Sequence, residues 1–320
     1  MRTPDRSFAV RGRRFRIKAE DSNTPSDYLK YEALRNEVWD FPEDHLSGVR
    51  NMMCENVFHE GSSLFIAAYA ADEGGRLEED AEHLAGFSYG FVGIKDKSVG
   101  YTAPGNLWFY AQFTAVRPEF QGYGVGILIK EFQRDVVLEV LGVSTAVCTY
   151  DPLTGVNAYR NVHHFRMTVV EYRAAAYGEY GGRLNRADVP TDRFFMSWDL
   201  RTAPRRGDSF ARPVPPEPDR DVIDVVERVV AGRSGPVNLE TAAGFHREHA
   251  SDHAFVRIPR DFYLMLRETD VADPSVRRIP TDWRTTTREA FQTLFADGYK
   301  VVDFLSVRGE RPSNSYVLSK

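Results

Sequence analysis

Cysteine is scarce in this sequence: Cys54 and Cys148 are the only two among 320 residues. Two distant cysteines supply neither a disulfide framework nor the spacing of a metal site, and Cys148 lies in an apolar segment typical of a buried strand. No stretch approaches the roughly 20 consecutive apolar residues of a transmembrane helix, and the cationic first residues lack the apolar core of a signal peptide. The sequence therefore predicts a cytoplasmic protein without a membrane partner.

An excess of basic residues is also missing, because 41 lysines and arginines are interspersed with 46 aspartates and glutamates, for a formal net charge of -5. A nucleic-acid-binding surface needs clustered positive charge, so we expect no nucleic-acid partner. Three histidines in HREHASDH, His246, His249 and His253, have spacings that could place them on one helix face as zinc ligands. No cysteine or carboxylate cluster completes that set, and we expect a solvated segment and no metal.

Proline marks a boundary in the second half of the chain. Residues 201–219 hold five of the 17 prolines and almost no apolar periodicity, which is typical of an extended linker. Upstream, helices, antiparallel strands and then alternating strands and helices predict an α+β domain over residues 1–200. Downstream, residues 220–320 are expected to form a smaller α+β extension. About 100 residues bury little core alone, so we expect the extension to be docked on the first domain.

Hydrophobic periodicity predicts the individual elements. Two helices, separated at Pro42, should precede the strands SLFIAAYA, HLAGFSYGFVG and NLWFYAQFTAV, with a helix over about 126–141 and the strand GVSTAVCTY after them. The segment VIDVVERVVAG fits a helix or a buried strand equally well. A helix is expected to end at Gly298, followed by strands at KVVDFLSV and SYVLSK.

The segment AVRPEFQGYGVGILIKEFQ, residues 115–133, places Gly122, Gly124 and Gly126 between a predicted strand and an amphipathic helix. The unpaired N–H groups at the start of a helix favour a bound anion. Glycine removes side-chain bulk there and permits a positive φ. The dinucleotide fingerprint does not fit, because Ile127 stands where its third glycine belongs, and no Walker sequence occurs. We therefore predict a loop that holds a phosphate-bearing ligand.

The same stretch resembles the acyl-CoA loop of the GNAT acyltransferase superfamily, commonly V-x-P-x-x-[Arg/Gln]-x-x-G-x-[Gly/Ala]. The matching residues are Val116, Pro118, Gln121, Gly124 and Gly126. The segments YDPLTGVNAYRNVH, YGGRLNRADVPTDRFFMSWDL, VRIPRDF and WRTTTREAFQTLFADGYKVVDF resemble a group of GNAT proteins with the same C-terminal extension. Some of that group are associated with N-succinylamino acid racemase pathways.

The resemblance implies the GNAT fold, an α+β arrangement in which helices flank a mixed, mostly antiparallel sheet. It also implies an acyltransferase that uses acetyl-CoA or succinyl-CoA and a small-molecule amine acceptor such as an amino acid. The amine would attack the thioester directly, so no enzyme nucleophile is needed. The donor-binding residues implied are Thr114, Ala115, Val116, Gln121, Gly122, Tyr123, Gly124, Val125 and Gly126, with Asn157 at the pantetheine arm or as a helix cap.

The usual acid and base of the family do not carry over to this sequence. Many members have a glutamate on the strand before the loop, but the polar side chains there, apart from Thr114, are Tyr110 and Gln112, which we assign to the substrate. Neither is a good base at neutral pH. Where many members have a tyrosine acid, this sequence has Val162, and Arg166 replaces a usual glycine.

Substitutes for the missing acid and base lie nearby. Tyr159 and His163 are candidates for the acid, and Glu37 and Asp151 for a base that acts through water. Three of the four also have a structural alternative: core packing for Tyr159, a surface or structural histidine for His163, an Asp-Pro turn for Asp151. Two more residues, Arg186 and Arg193, are candidate anchors for a succinyl tail or an amino-acid carboxylate, or members of surface salt bridges.

Three functions stay open at this point. N-acyl transfer to a small amine is the leading one. The rival is a catalytically silent acyl-CoA-binding module, which the missing glutamate and tyrosine favour. Acylation of a protein is the third, although no charged docking surface is identifiable. A homodimer is compatible with the sequence, which does not determine the oligomeric state.

Overall fold

The computed structural model describes residues 3–40, 49–178, 181–205, 221–309 and 312–320. Its contacts divide the chain into two compact units, the first with Met1–Cys148 and Asp199–Arg201, the second with Thr149–Trp198 and Thr202–Lys320. The domain boundaries expected near residues 200 and 220 stay predictions. Pro42 and most of the expected linker, residues 206–219, lie outside the described residues.

The first unit contains one sheet, formed in its described residues by six neighbouring strands in chain order. These are β1 (Asp5–Val10), β2 (Arg13–Ala19), β3 (Ser63–Ala70), β4 (Leu84–Ile94), β5 (Leu107–Val116) and β6 (Thr145–Tyr150), of which the last two residues of β6 belong to the second unit. Neighbours from β1 to β5 are antiparallel, whereas β5 and β6 are parallel. The sheet is therefore mixed and mostly antiparallel.

Helices cover both faces of this sheet. On one face, α1 (Leu29–Trp39) and α2 (Val49–Glu55) pack on Phe87 and its neighbours in a common hydrophobic cluster. Successive strand residues point to opposite faces, so Gly86 faces away from that cluster. There it meets Ile129 of α3 (Val125–Asp135), which continues into a π-helical turn at Val136–Val140. Because both faces are covered, all eight residues of β3 are buried.

The hairpin β1–β2 was not predicted from the sequence, in which the first residues stand out only by their positive charge. Its two-residue turn places Arg11 at φ 50° and Gly12 at φ 80°, the left-handed pair that suits the twist of a hairpin. In β2, buried Phe15, Ile17 and Ala19 alternate with more exposed basic residues. This period of two is the strand signal, which the abundance of arginine obscured.

The second unit begins after the end of β6. Its elements are α4 (Gly155–Ala158) with a π-helical turn at Tyr159–His164, β7 (Thr168–Arg173), β8 (Arg193–Asp199), β9 (Ile223–Gly232), β10 (Gly235–Phe245), β11 (His253–Ile258), α5 (Phe262–Glu268), α6 (Pro274–Arg277), α7 (Ile279–Ala296), β12 (Lys300–Val307) and β13 (Ser313–Ser319). Strands β7 and β8 pair with each other, as do β9 and β10, while β13 lies between β11 and β12. All of these pairs are antiparallel.

An aromatic cluster packs inside the second unit. The ring centroid of Phe194 lies 5.9 Å from that of Tyr150, 4.8 Å from that of Phe291 and 5.5 Å from that of Tyr316. The hydroxyl groups of Tyr150 and Tyr316 lie 3.1 Å apart. Aromatic contacts at these distances add to the large apolar area that each ring buries. Residues of the expected extension thus share a core with residues 149–198.

The fold class expected from the sequence is confirmed: helices flank a mixed, mostly antiparallel sheet, and further strands and helices follow it. The helix predicted to end at Gly298 ends two residues earlier, at Ala296, and Gly298 follows it at φ 89°. The ambiguous segment VIDVVERVVAG forms strand β9. Most of its residues are exposed, so the prediction of a buried strand was wrong. Within the described ranges, no helix is long and apolar enough to cross a bilayer.

Candidate functional site

Strands β5 and β6 separate soon after they meet. They pair at Phe109 with Ala146 and at Tyr110 with Val147, although β5 continues to Val116. On its other edge, β5 remains paired with β4 as far as Val116. The C-terminal half of β5 therefore has one edge without a strand partner among the described residues. Backbone N–H and C=O groups on such an edge can pair with a ligand.

A β-bulge lies where the two strands separate. The register between β4 and β5 shifts so that Tyr89 and Gly90 oppose Phe113 and Ala111, which leaves Gln112 as the extra residue. A bulge bends its strand and increases the local twist, and we attribute the separation to it. A Cβ at Gly90 would lie 2.5 Å from the Phe109 ring, so this close approach requires glycine.

The glycine loop joins the end of β5 to α3. Gly122 and Gly124 adopt φ of 79° and 78°, whereas Gly126 lies in the first turn of the helix with no such conformation. An added Cβ at Gly122 or Gly124 would meet no protein atom within 4 Å, so the backbone angle and not packing requires these two glycines. Among the described residues, the N–H groups of Gly122, Gly124, Val125 and Gly126 have no protein acceptor.

Apolar anchors hold the loop in place. Val125 is buried at the start of α3, and the Phe120 ring lies edge-on to buried Phe15 at 6.0 Å. The ring of Tyr123 is 6.3 Å from the same phenylalanine. The Gln121 side chain, predicted at the diphosphate, donates to the Val116 carbonyl at 3.1 Å and so ties the loop to the strand end.

The other donor- and substrate-binding candidates on β5 lie along the sheet. Thr114, Ala115 and Val116 stand opposite Ser88, Phe87 and Gly86. Of the three, Ala115 is buried in the hydrophobic cluster under α1, and the other two are half-buried. Tyr110 stacks on Phe91 with ring centroids 5.4 Å apart, and Gln112 is exposed at the bulge.

Glu37 is the acid–base candidate that lies in the same unit as the loop. It is exposed near the end of α1, and its carboxylate is 3.3 Å from Nε of Arg117. Arg117 directly precedes the turn Pro118–Phe120 that opens the loop. The ion pair therefore connects α1 to the beginning of the glycine loop.

Asp151 is buried in an ion-pair network. Arg284 of α7 binds both carboxylate oxygens at 2.7 and 2.5 Å, Arg193 lies 3.5 Å away, and the Leu153 N–H donates to Oδ1 at 2.9 Å. Burial alone would raise the pKa of Asp151, but the charge and hydrogen bonds of Arg284, with Arg193, outweigh it and lower the pKa. A carboxylate stabilised in this way is a poor proton acceptor.

Tyr159 and His163 stack on each other in the π-helical turn, with ring centroids 4.9 Å apart. His163 is buried, and its Nδ1 lies 2.9 Å from the carboxylate of Asp303. Arg205 donates to the other oxygen of Asp303 at 2.8 Å. Burial would raise the pKa of Asp303, yet the hydrogen bonds from His163 and Arg205 lower it. The structure thus buries His163 between Asp303 and Arg205. Both partners are far away along the chain, so the sequence gave no signal for them.

The remaining polar candidates bind protein groups. Asn157 lies inside α4, so its expected helix-cap role was wrong; it donates to Thr154 Oγ1 at 3.0 Å and accepts from Arg160 at 2.8 Å. Arg186 contacts Asp188 at 2.6 Å and Thr269 at 2.9 Å. Arg193, beside Asp151, is buried and therefore forms no surface salt bridge. The two arginines hold parts of the second unit together.

Two of the three histidines of HREHASDH, His246 and His249, contact protein acceptors, and their rings stack with centroids 5.1 Å apart. His246 contacts the carboxylates of Asp224 and Glu248, and His249 contacts the Asp221 carbonyl at 2.9 Å. One set of potential metal-ligand atoms, within 4.8 Å of one another, occurs in the described part of the chain. It consists of Glu78, Asp80 and His83. His83 Nδ1 is already 2.8 Å from Asp80.

The sequence matches no protein-family model and no curated protein. Among solved structures, it is similar to NAA60 of Arabidopsis thaliana in complex with a bisubstrate analogue, at 14% identity and TM-score 0.42, over 57% of this chain and 98% of that one. It is also similar to the ribosomal-protein-S18-alanine N-acetyltransferase of Escherichia coli, at 14% identity and TM-score 0.38, over 60% and 97%. Values this low do not indicate a shared substrate.

Proposed function

We propose that the protein is an acyl-CoA-dependent N-acyltransferase, which transfers an acetyl or succinyl group to the amine of a small molecule such as an amino acid. One observation carries the proposal. The unpaired edge of β5 leads directly into a loop with two left-handed glycines and four N–H groups that have no protein acceptor among the described residues. An extended amide-containing arm followed by a diphosphate is the ligand that such a strand and loop accommodate together.

The proposed donor-binding mode divides the ligand between strand and loop. The backbone of Thr114, Ala115 and Val116 would pair with the amides of the pantetheine arm and direct one N–H at the thioester oxygen. The loop from Gln121 to Gly126 would hold the diphosphate, where the positive end of the α3 dipole adds to the N–H groups. Tyr110 and Gln112, on the same strand, are proposed to contact the acceptor.

The proposed reaction is direct aminolysis of the thioester. The amine nitrogen forms a bond to the acyl carbon, the carbon–sulfur bond breaks, and the amine proton leaves while the thiolate gains one. Holding both reactants together supplies much of the rate. Asp151 is held in an ion pair by Arg284, and His163 is buried against Asp303 and Arg205, so we propose Glu37 as the base through water and Tyr159 as the acid.

The second candidate function is a silent acyl-CoA-binding module. The ion pair of Asp151 with Arg284 supports it, because the lowered pKa of Asp151 makes this predicted base a poor proton acceptor. The donor-binding loop is equally compatible with binding alone. Turnover distinguishes the two functions.

A substrate panel tests the proposal. The purified protein is incubated with acetyl-CoA or succinyl-CoA and a set of D- and L-amino acids and polyamines, while thiol release and product mass are recorded together. Acceptor-dependent thiol release with the matching mass gain supports the transferase. Binding of CoA without turnover supports the silent module, and absence of any CoA binding contradicts both.

A pair of glycine variants then locates the donor site. Gly124 and Gly142 have φ of 78° and 69°, and an added Cβ at either meets no protein atom within 4 Å. Alanine in the left-handed region costs about 1 kcal/mol at each position, so Gly124→Ala and Gly142→Ala should lose similar stability. Because only Gly124 lies in the loop, we expect Gly124→Ala alone to weaken CoA binding, by about tenfold or more. Equal affinities would contradict this placement of the diphosphate.

A further inference from the structure

The N-terminal hairpin packs directly on the glycine loop. Phe15 of β2 is 1% exposed and contacts both Phe120 and Tyr123, the aromatic residues on the two sides of Gln121 and Gly122. A buried aromatic anchor of this kind fixes the hairpin and the loop relative to each other. The hairpin is therefore a fixed neighbour of the loop.

Two arginines of this hairpin lie over the loop aromatics. The guanidinium carbon of Arg11 is 5.6 Å from the ring centroid of Tyr123, and that of Arg13 is 4.8 Å from the ring centroid of Phe120. Cation–π stacking of this kind uses the face of the guanidinium and leaves its N–H edge available for hydrogen bonds. Arg11 itself stands in the left-handed turn of the hairpin and is exposed.

The charges of these two arginines are not neutralised within the described residues. Three other basic residues of the hairpin have carboxylate partners: Arg6 pairs with Asp135, Arg16 with Asp5 and Glu79, and Lys18 with Glu79. Arg14 bonds the Gly75 carbonyl and lies over neither loop aromatic. In the same described ranges, Arg11 and Arg13 have no carboxylate partner, and Arg13 donates to the Ala71 carbonyl at 3.2 Å. Two positive charges are thus held at one edge of the loop without a protein anion.

The loop itself brings no cation to a phosphate. The family pattern permits arginine or glutamine at the position of Gln121, and here the glutamine is neutral and bonded to Val116. Arginine is the side chain whose planar donors best match phosphate oxygens. We propose that Arg11 and Arg13 bind a phosphate group in the nucleotide moiety of the acyl donor, an inference that rests on the proposed function.

The chemistry recognised is a phosphate dianion or diester, and CoA offers two sources of it, the 3′-phosphate and the diphosphate. Calorimetric titration with CoA and with dephospho-CoA, which lacks the 3′-phosphate, separates them. The protein variants are Arg11→Gln, Arg13→Gln and the double variant. Arg14→Gln is the matched control, because Arg14 is exposed on the same hairpin and bonds the Gly75 carbonyl instead of a loop aromatic.

We expect the double variant to bind CoA about tenfold more weakly and Arg14→Gln to bind it within about twofold of the wild type. The wild-type affinity should also fall more steeply with added salt than that of the double variant, because salt screens the two arginines. A loss restricted to CoA assigns the 3′-phosphate, and an equal loss with dephospho-CoA assigns the diphosphate. Either result supports the proposal.

Equal CoA affinity in the wild type and the double variant, with unchanged thermal unfolding, overturns the inference and leaves the proposed function standing. A wild-type protein that binds neither CoA nor dephospho-CoA overturns the proposed function and this inference with it. An equal loss in Arg14→Gln would also overturn it, since general surface charge would then account for the effect.

Discussion

Replacing Asp151 by asparagine should destabilise the second unit more than any surface charge replacement. Arg284 is 1% exposed, and its guanidinium lies 5.1 Å from the Phe262 ring, so water cannot solvate the charge once Asp151 is neutral. Its Nε already has no hydrogen-bond partner among the described residues. Arg193 lies beside the same carboxylate at 3.5 Å, so the variant leaves two cations close together.

The magnitude follows from the burial of the pair. Removing one partner of a buried ion pair costs about 3–5 kcal/mol, because the other charge stays buried and uncompensated. With a urea dependence of about 2–3 kcal/mol per molar, this lowers the urea midpoint by about 1–2.5 M. The assay is urea unfolding followed by tryptophan fluorescence, since Trp198 and Trp283 are both buried in the second unit.

Two variants make the result decisive. Asp282, in the first turn of α7, forms an exposed ion pair with Arg278, the residue just before that helix, and Asp282→Asn should lower the midpoint by less than about 0.5 M. Adding Arg284→Met to Asp151→Asn should recover most of the loss, because the more deeply buried of the two cations is then gone and no longer repels Arg193. A loss below about 1 kcal/mol for Asp151→Asn would refute the reasoning, because it would mean that the Arg284 charge is not left buried and uncompensated.

Two further predictions concern ionisation and thiol access. Asp303 has a lowered pKa in the folded protein, so its contribution to stability is present above the ordinary carboxyl pKa of about 4 and is lost as the pH falls through the lowered value. In Asp303→Asn, the free energy of unfolding should therefore fall less steeply below about pH 4 than in the wild type. The same pH dependence in both proteins would contradict this. Cys54 is exposed and Cys148 buried, so a thiol reagent should modify one cysteine in the folded protein and both in urea; rapid modification of both without urea would contradict the assigned burial.

The contacts of Asp151 and His163 change what can be concluded about their function from the sequence. From the sequence, Asp151 is a predicted base and His163 a predicted acid, because their side chains can exchange protons and because they follow the predicted donor strand. Both contact residues far away along the chain, Arg284 and Asp303. A sequence pattern cannot distinguish a catalytic carboxylate from a buried structural one, because the difference lies in the partners and in the exposure to water.

Local elements could be predicted because their causes are local. The continuous apolar run of β3 and the amphipathic pattern of α3 are properties of neighbouring residues. The glycines at 122 and 124 signalled left-handed backbone for the same reason, and the structure has it. The bulge at Gln112 could not be predicted, since it depends on the register that β5 takes against β4.

The sequence by itself determined the α+β class and the glycine loop between strand and helix, since these depend on backbone angles and on the periodicity of adjacent side chains. Only the tertiary structure decided that β5 and β6 separate beyond Tyr110, that Asp151 is bound by Arg284, and that Arg11 lies over Tyr123. The physical reason is that ion pairs, stacking and strand separation depend on distance through space and on burial. The order of residues along the chain specifies neither quantity directly.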